Sequence, residues 1–198
     1  MTTPLGGVAA TLAALVLVAC SSGDADPAGR GSARPATTVP LTATQTACPD
    51  LEPVAPRAGG LPDLELPCLG DGPSVNLAHL RGVPTVVNVW AAWCTNCDRE
   101  MPLFADAVER AGDDLRFFGV HYKAPRDFGL RSEQDFGVPF ASVHDEDGDL
   151  IVEALRATAP PQTFFVTADG RLAGRKIGEI TSAAEMADLV RHYLGVTL

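Results

Sequence analysis

From residue 61 onward, the apolar positions of the chain switch between short β-branched runs and stretches with helical spacing. Leu61 to Leu66 and Ser74 to Leu77 read as two short strands around an Asp71-Gly72 turn. Val83 to Trp90 is rich in β-branched residues and scarcely alternates, the pattern of a strand buried on both faces. Thr95 to Arg110 carries Met101, Phe104, Ala105 and Val108 at helical spacing, with Met101 and Phe104 expected in the core rather than against a cofactor. Asp113-Asp114 then leads into a second buried strand, Leu115 to Tyr122. A helix follows from Asp127 to Phe136, stopped by Gly137, and beyond an Asp147-Gly148 turn Leu150 to Leu155 forms a weak helical turn. Gln162 to Thr167 and Leu172 to Ile177 form a hairpin around Asp169-Gly170. Ser182-Ala183-Ala184-Glu185 is a capping box that starts a last helix, with Leu189, Val190 and Leu194 on its apolar stripe and Gly195 at its end. Strands alternating with helices predict an α/β domain: a central mixed sheet flanked by helices, with an N-terminal β-hairpin extension.

The first 47 residues follow different rules. Residues 5–19 form an uncharged apolar run, too short to span a bilayer comfortably but of the length of a signal-peptide apolar region. The run ends Leu17-Val18-Ala19-Cys20 and continues Ser21-Ser22-Gly23-Asp24, which resembles a bacterial lipobox. That resemblance implies cleavage after residue 19 and lipidation of the Cys20 thiol. No Lys or Arg precedes the run, a departure that points to a natural start upstream of Met1. Residues 20–47 hold Val39 and Leu41 as their only large apolar side chains and cannot bury enough surface to offset their ordering entropy. They read as a flexible tether reaching roughly 25–30 Å. Residues 48–198, about 150 of them, are left for one domain with a core of its own.

The formal charge of −10 excludes the basic face that a nucleic-acid binder needs to displace counterions. It equally excludes polybasic attachment to anionic lipid.

The five cysteines carry most of the remaining information. Cys94 and Cys97 form a Cys-x-x-Cys pair directly after a predicted buried strand and at the start of a helix. There the unpaired amides and the helix dipole favour a thiolate on Cys94. The spacing lets the two sulfurs close a small disulfide, so the first cysteine attacks a partner and the second resolves the mixed disulfide. A structural zinc site would want a second ligand pair, and the histidines at 79, 121, 144 and 192 are scattered along the chain. No metal site is therefore expected. Among the weaker candidates, His121-Tyr122-Lys123 ends a central strand on the side where α/β sheets hold ligands. The acidic run Asp145 to Asp149 lacks the later glutamate of a calcium loop and reads as a solvated turn.

Val87-Asn88-Val89-Trp90-Ala91-Ala92-Trp93-Cys94-Thr95-Asn96-Cys97 resembles the active-site segment of thioredoxin-fold proteins. Glu100-Met101-Pro102 after it narrows the resemblance to the TlpA/ResA/CcmG group of exported, membrane-tethered thiol–disulfide oxidoreductases. Pro161-Gln162-Thr163-Phe164-Phe165-Val166 is similar to the group's cis-proline strand. The resemblance covers roughly residues 60 to 195. It implies a redox-active Cys94–Cys97 disulfide with no further cofactor, protein thiols and disulfides as partners, and a membrane protein that supplies electrons. It also implies that Pro161 is the cis-proline and that Trp93 and Pro160 help to bind substrate.

Asn88 stands where cytosolic thioredoxins carry a buried acid, and an amide cannot relay a proton. Glu100, one helical turn after Cys97, can face back toward the sulfurs; in the resembling reductants a glutamate there takes that role. The competing reading makes it a solvated helix residue. Pro160 has no N–H, so one main-chain hydrogen bond to a substrate strand is missing and recognition shifts toward side chains such as Trp93. With Cys20 lipidated and Cys94 paired to Cys97, Cys48 and Cys68 remain to form a structural disulfide, which fits an oxidising compartment.

The expected function is reduction of protein disulfides on the extracytoplasmic face of a bacterial membrane, with apocytochromes c as a substrate class that the resemblance offers. Two rivals stay open. One is an oxidant that makes disulfides, since Thr95-Asn96 matches neither the usual oxidant nor the usual thioredoxin dipeptide. The other is a metal- or haem-handling chaperone that uses the cysteines as ligands. A peroxidase is disfavoured because no Pro-x-x-x-Thr-x-x-Cys arrangement ends at Cys94.

Overall fold

The computed structural model describes residues 46–198. The signal segment, Cys20 and all but the last two residues of the tether lie outside the described residues. A five-stranded sheet in the order β5-β4-β3-β6-β7 forms the centre. β3 (Thr85–Trp90) and β4 (Arg116–Tyr122) run parallel, as do β4 and β5 (Ser142–Asp145). β6 (Gln162–Val166) and β7 (Leu172–Ile177) are antiparallel to each other, and β6 is antiparallel to β3. The helices are α1 (Thr95–Ala111), α2 (Arg126–Phe136), α3 (Asp149–Leu155) and α4 (Ala183–Leu194). This is the mixed α/β sheet that the sequence pattern predicts.

All six residues of β3 are buried, and its two faces feed two cores. Val87 and Val89 pack with Phe118, Val120, Phe164 and Ile151 on one side. Val86 and Trp90 pack with Met101, Phe104, Phe165 and Met186 on the other, beneath α1 and α4. Period-two alternation therefore places Asn88 on the α1 side as well. The capping box at α4 is shifted by one residue: Ser182 Oγ accepts from the Glu185 amide, but the Glu185 carboxylate accepts from the N–H of Thr181 rather than that of Ser182. Lys176 completes the corner with an ion pair to Glu185 at 2.8 Å.

Two expectations need correction. The N-terminal hairpin is shorter than its pattern implied, with β1 (Glu65–Leu66) and β2 (Val75–Asn76) paired over two residues each. After β1 the chain leaves β2 and lies along β5 instead: Leu69 N–H donates to Ser142 O, His144 N–H donates to Pro67 O, and Cys68 bridges Val143. The hairpin so covers the edge that β5 would otherwise expose. The second correction is β5 itself, which lies in a stretch with no predicted element. Asp145, expected in a solvated turn, is buried at its end, and its carboxylate accepts from the amides of Gly148 and Ile151 at the start of α3.

Cys48 and Cys68 are bonded to each other and are both buried. Because Cys68 also bridges Val143, the disulfide ties the start of the domain to the β5 edge as well as to the hairpin.

Candidate active site

β3 ends at Trp90, and Ala91-Ala92-Trp93 carries the chain to Cys94, the N-cap of α1. The extended backbone at Cys94 turns its sulfur over the first helical turn, where it accepts from the Cys97 amide at 3.2 Å. Cys94 and Cys97 form a disulfide. Cys94 retains 6% exposure and Cys97 none, so an incoming sulfur meets Cys94 first. The helix N-terminus, with its unpaired amides, favours negative charge at the reachable sulfur. Asn96 between them is held by Arg99, whose guanidinium also forms a forked pair with Glu179 at 2.6 and 3.1 Å.

Glu100 is fully buried, which removes the solvated reading. Oε1 accepts from Asn88 Nδ2 at 2.8 Å and Oε2 accepts from the Ile180 amide at 3.0 Å. Burial pushes its pKa up to about 7, against the smaller opposing pull of those two hydrogen bonds. A carboxyl group one turn after Cys97 is thus poised to hold or release a proton near neutral pH. Thr163 on β6, which the sequence reading passed over, completes this pocket: Asn88 Nδ2 also reaches Thr163 Oγ1 at 3.3 Å.

The peptide bond between Pro160 and Pro161 is cis. Gln162 pairs with Val89, so Pro161 stands beside the end of β3 that leads to Cys94. Trp93 is 57% exposed, and its indole N–H donates to the Lys123 carbonyl at 2.8 Å. The active-site segment so meets the Lys123 carbonyl just after β4 and the ring of Tyr122 at the end of that strand.

A second buried polar cluster lies beneath Trp90. In register across the sheet stand Trp90, His121 and His144. The histidines, scattered in sequence, meet here with their Nδ1 atoms 3.1 Å apart and their rings stacked. Burial drives the His121 pKa down to about 3, so the ring is neutral. Gly129 on α2 is needed for this arrangement, since a Cβ there would lie 2.7 Å from the His121 ring. Ser142 Oγ accepts from the Trp90 indole and hydrogen-bonds Glu133 of α2, whose own pKa burial raises to about 7. No group of three or more metal-ligating side chains occurs among the described residues.

The AhpC/TSA family model matches residues 59–175. The thiol:disulfide interchange protein DsbE of Pseudomonas fluorescens biotype C is 31% identical over 133 residues, covering 67% of this chain and 72% of the relative. The protein of the same name from Allochromatium vinosum is 31% identical over 140 residues, covering 68% and 75%. Among solved structures, a secreted Mycobacterium tuberculosis disulfide oxidoreductase homologous to E. coli DsbE superposes with a TM-score of 0.57 at 22% identity, over 66% of this chain and 96% of the other. That last likeness speaks to the fold.

Proposed function

Because the chain belongs to the AhpC/TSA family and is a thiol–disulfide oxidoreductase of the TlpA/ResA/CcmG-like kind, we propose that it works as a reductant of protein disulfides through Cys94 and Cys97. One observation carries this direction: a buried carboxyl, Glu100, with a pKa of about 7 one turn after Cys97, beside an amide that cannot exchange protons. A negative charge there raises the thiol pKa values and disfavours the thiolate pair, which makes the dithiol the better electron donor.

In the reduced protein the Cys94 thiolate attacks one sulfur of a substrate disulfide. A Cys94–substrate disulfide forms and the other substrate sulfur leaves as a thiolate, which takes a proton from water. Cys97 passes its proton to the Glu100 carboxylate and attacks the Cys94 sulfur. The Cys94–Cys97 disulfide closes and the second substrate thiolate leaves, to be protonated in turn. Two electrons have moved from the dithiol to the substrate. Cys97→Ser stops the cycle halfway and accumulates mixed disulfides through Cys94, whereas Cys94→Ser traps far less; non-reducing gels with mass spectrometry read both. The reverse pattern would assign the attacking sulfur to Cys97.

Trp93, Pro160 and Pro161 receive the substrate chain beside Cys94 in this reading. The domain of residues 48–198 is held to the extracytoplasmic face of a bacterial membrane through a lipidated Cys20 and the tether of residues 20–47, and a membrane protein returns its electrons. Mass spectrometry of the membrane-fraction protein for a diacylated Cys20 tests the anchor. No helix among the described residues is long and apolar enough to cross a membrane. Apocytochromes c awaiting haem are the substrate class to which the resemblance points.

A further inference from the structure

Beside the redox disulfide lies a cleft of about 370 Å³ lined by Ala92, Trp93, Lys123, Ala124, Pro125 and Phe128. Its two aromatic walls are unusual for surface positions: Trp93 is 57% and Phe128 55% exposed. Trp93 is held in place from behind. The Trp93 indole is fixed by its hydrogen bond to the Lys123 carbonyl and by a ring contact with Tyr122, 6.5 Å between centroids. Phe128 sits in the first turn of α2, which begins right after Pro125. Lys123 takes a left-handed backbone, φ 49°, and so turns the chain sharply from β4 toward that helix. Apart from the Lys123 side chain, the lining carries no charge.

We propose that this cleft seats an apolar side chain, preferably aromatic, adjacent to the reacting cysteine of a polypeptide substrate, and that Phe128 sets this preference. The inference rests on the thiol–disulfide reading above. Its occupant follows from continuity with the reacting sulfur: one wall is Trp93, the residue bonded to Cys94. A substrate cysteine bonded to Cys94 stands with its Cα about 5.5–6 Å from that of Cys94. Its neighbours along an extended chain advance by only ~3.3 Å per residue, so they fall at the cleft mouth. On the opposite flank Pro160 has no N–H to offer a substrate strand, which leaves side-chain burial as the source of selectivity. Burying an aromatic side chain between two exposed rings removes apolar surface of both partners from water.

The test uses single-turnover kinetics with two synthetic peptides, each closed by one Cys-Gly-Gly-Cys disulfide. One carries phenylalanine on both sides of the disulfide, the other serine. The second-order rate constant with reduced wild-type protein should favour the phenylalanine peptide by about tenfold. Phe128→Ser should bring the ratio close to one, and Phe128→Leu should keep most of it. The ratio is internal to each variant, so a general loss of activity cancels. A ratio near one in the wild type, or one unchanged in Phe128→Ser, overturns the proposal. Failure of the reduced protein to open either peptide overturns the reductant direction instead, and the same ratio is then read with oxidised protein and the two reduced peptides.

Discussion

Asn88 and Glu100, one on β3 and the other on α1, are joined in the core by a 2.8 Å hydrogen bond in which the amide donates to Oε1. The carboxamide does not titrate near neutral pH, so of this pair Glu100 is the group that can take up and release a proton. In the wild type, closure of the Cys94–Cys97 disulfide should speed up with pH through about 7, as Glu100 ionises and becomes able to accept the Cys97 proton. Glu100→Gln should lose that inflection and slow the step at pH 8 by on the order of 100-fold. Stopped-flow thiol exchange between pH 5 and 9 measures both. An identical profile in the variant would reduce Glu100 to a packing role.

The same burial leaves a signature in stability. Glu133, between α2 and Ser142, has its folded pKa raised from 4.5 to about 7. Between those values the folded protein keeps a proton that the unfolded chain has released. The stabilising contribution is therefore complete below about pH 4.5 and is lost as pH rises through about 7. Glu133→Gln removes this dependence. Denaturation of variant and wild type should show the variant gaining relative stability from pH 4.5 to 7.5, by on the order of 3 kcal/mol. His121, buried neutral, contributes the opposite slope at lower pH and cancels in the difference. A constant difference across the range would mean that Glu133 is not desolvated.

The two disulfides should separate by what their opening costs the fold. Mild reductant followed by differential alkylation should label Cys94 and Cys97 while Cys48 and Cys68 stay bonded, because opening the second pair also forfeits the loop-closure stability it gives the domain. A Cys48→Ala/Cys68→Ala double variant should lose roughly 3 kcal/mol, the chain-entropy value for a loop of this length. Equal labelling of all four thiols would contradict the assignment.

The elements that the sequence revealed are those whose burial is self-evident from apolar pattern. β3 and β4 are nearly uniform apolar runs, and α1 carries Met101 and Phe104 where its spacing placed them. β5 was hidden because its polar side chains read as solvated: Ser142 is met by Trp90 and His144 by His121, partners far off in the chain, while Asp145 accepts from the nearby amides of Gly148 and Ile151 inside an acidic run that reads as an exposed turn. The redox pair was legible because the thiolate, the helix start and the second sulfur all lie within four residues. Thr163 and the His121–His144 contact were not, because each depends on strand register between segments far apart in the chain.

The reduction potential of the Cys94–Cys97 couple tests the central claim most directly. It is measured by equilibration with glutathione or dithiothreitol buffers at pH 7, in the wild type and in Glu100→Gln. For a two-electron couple about 30 mV corresponds to 1.4 kcal/mol, so the loss of one charge interaction of that size is resolvable. A potential near −270 mV, rising when Glu100 becomes Gln, is the result expected of a reductant whose thiols are kept weakly acidic by the buried carboxyl. A wild-type potential near −120 mV, unmoved by the substitution, would make the protein an oxidant and contradict the account.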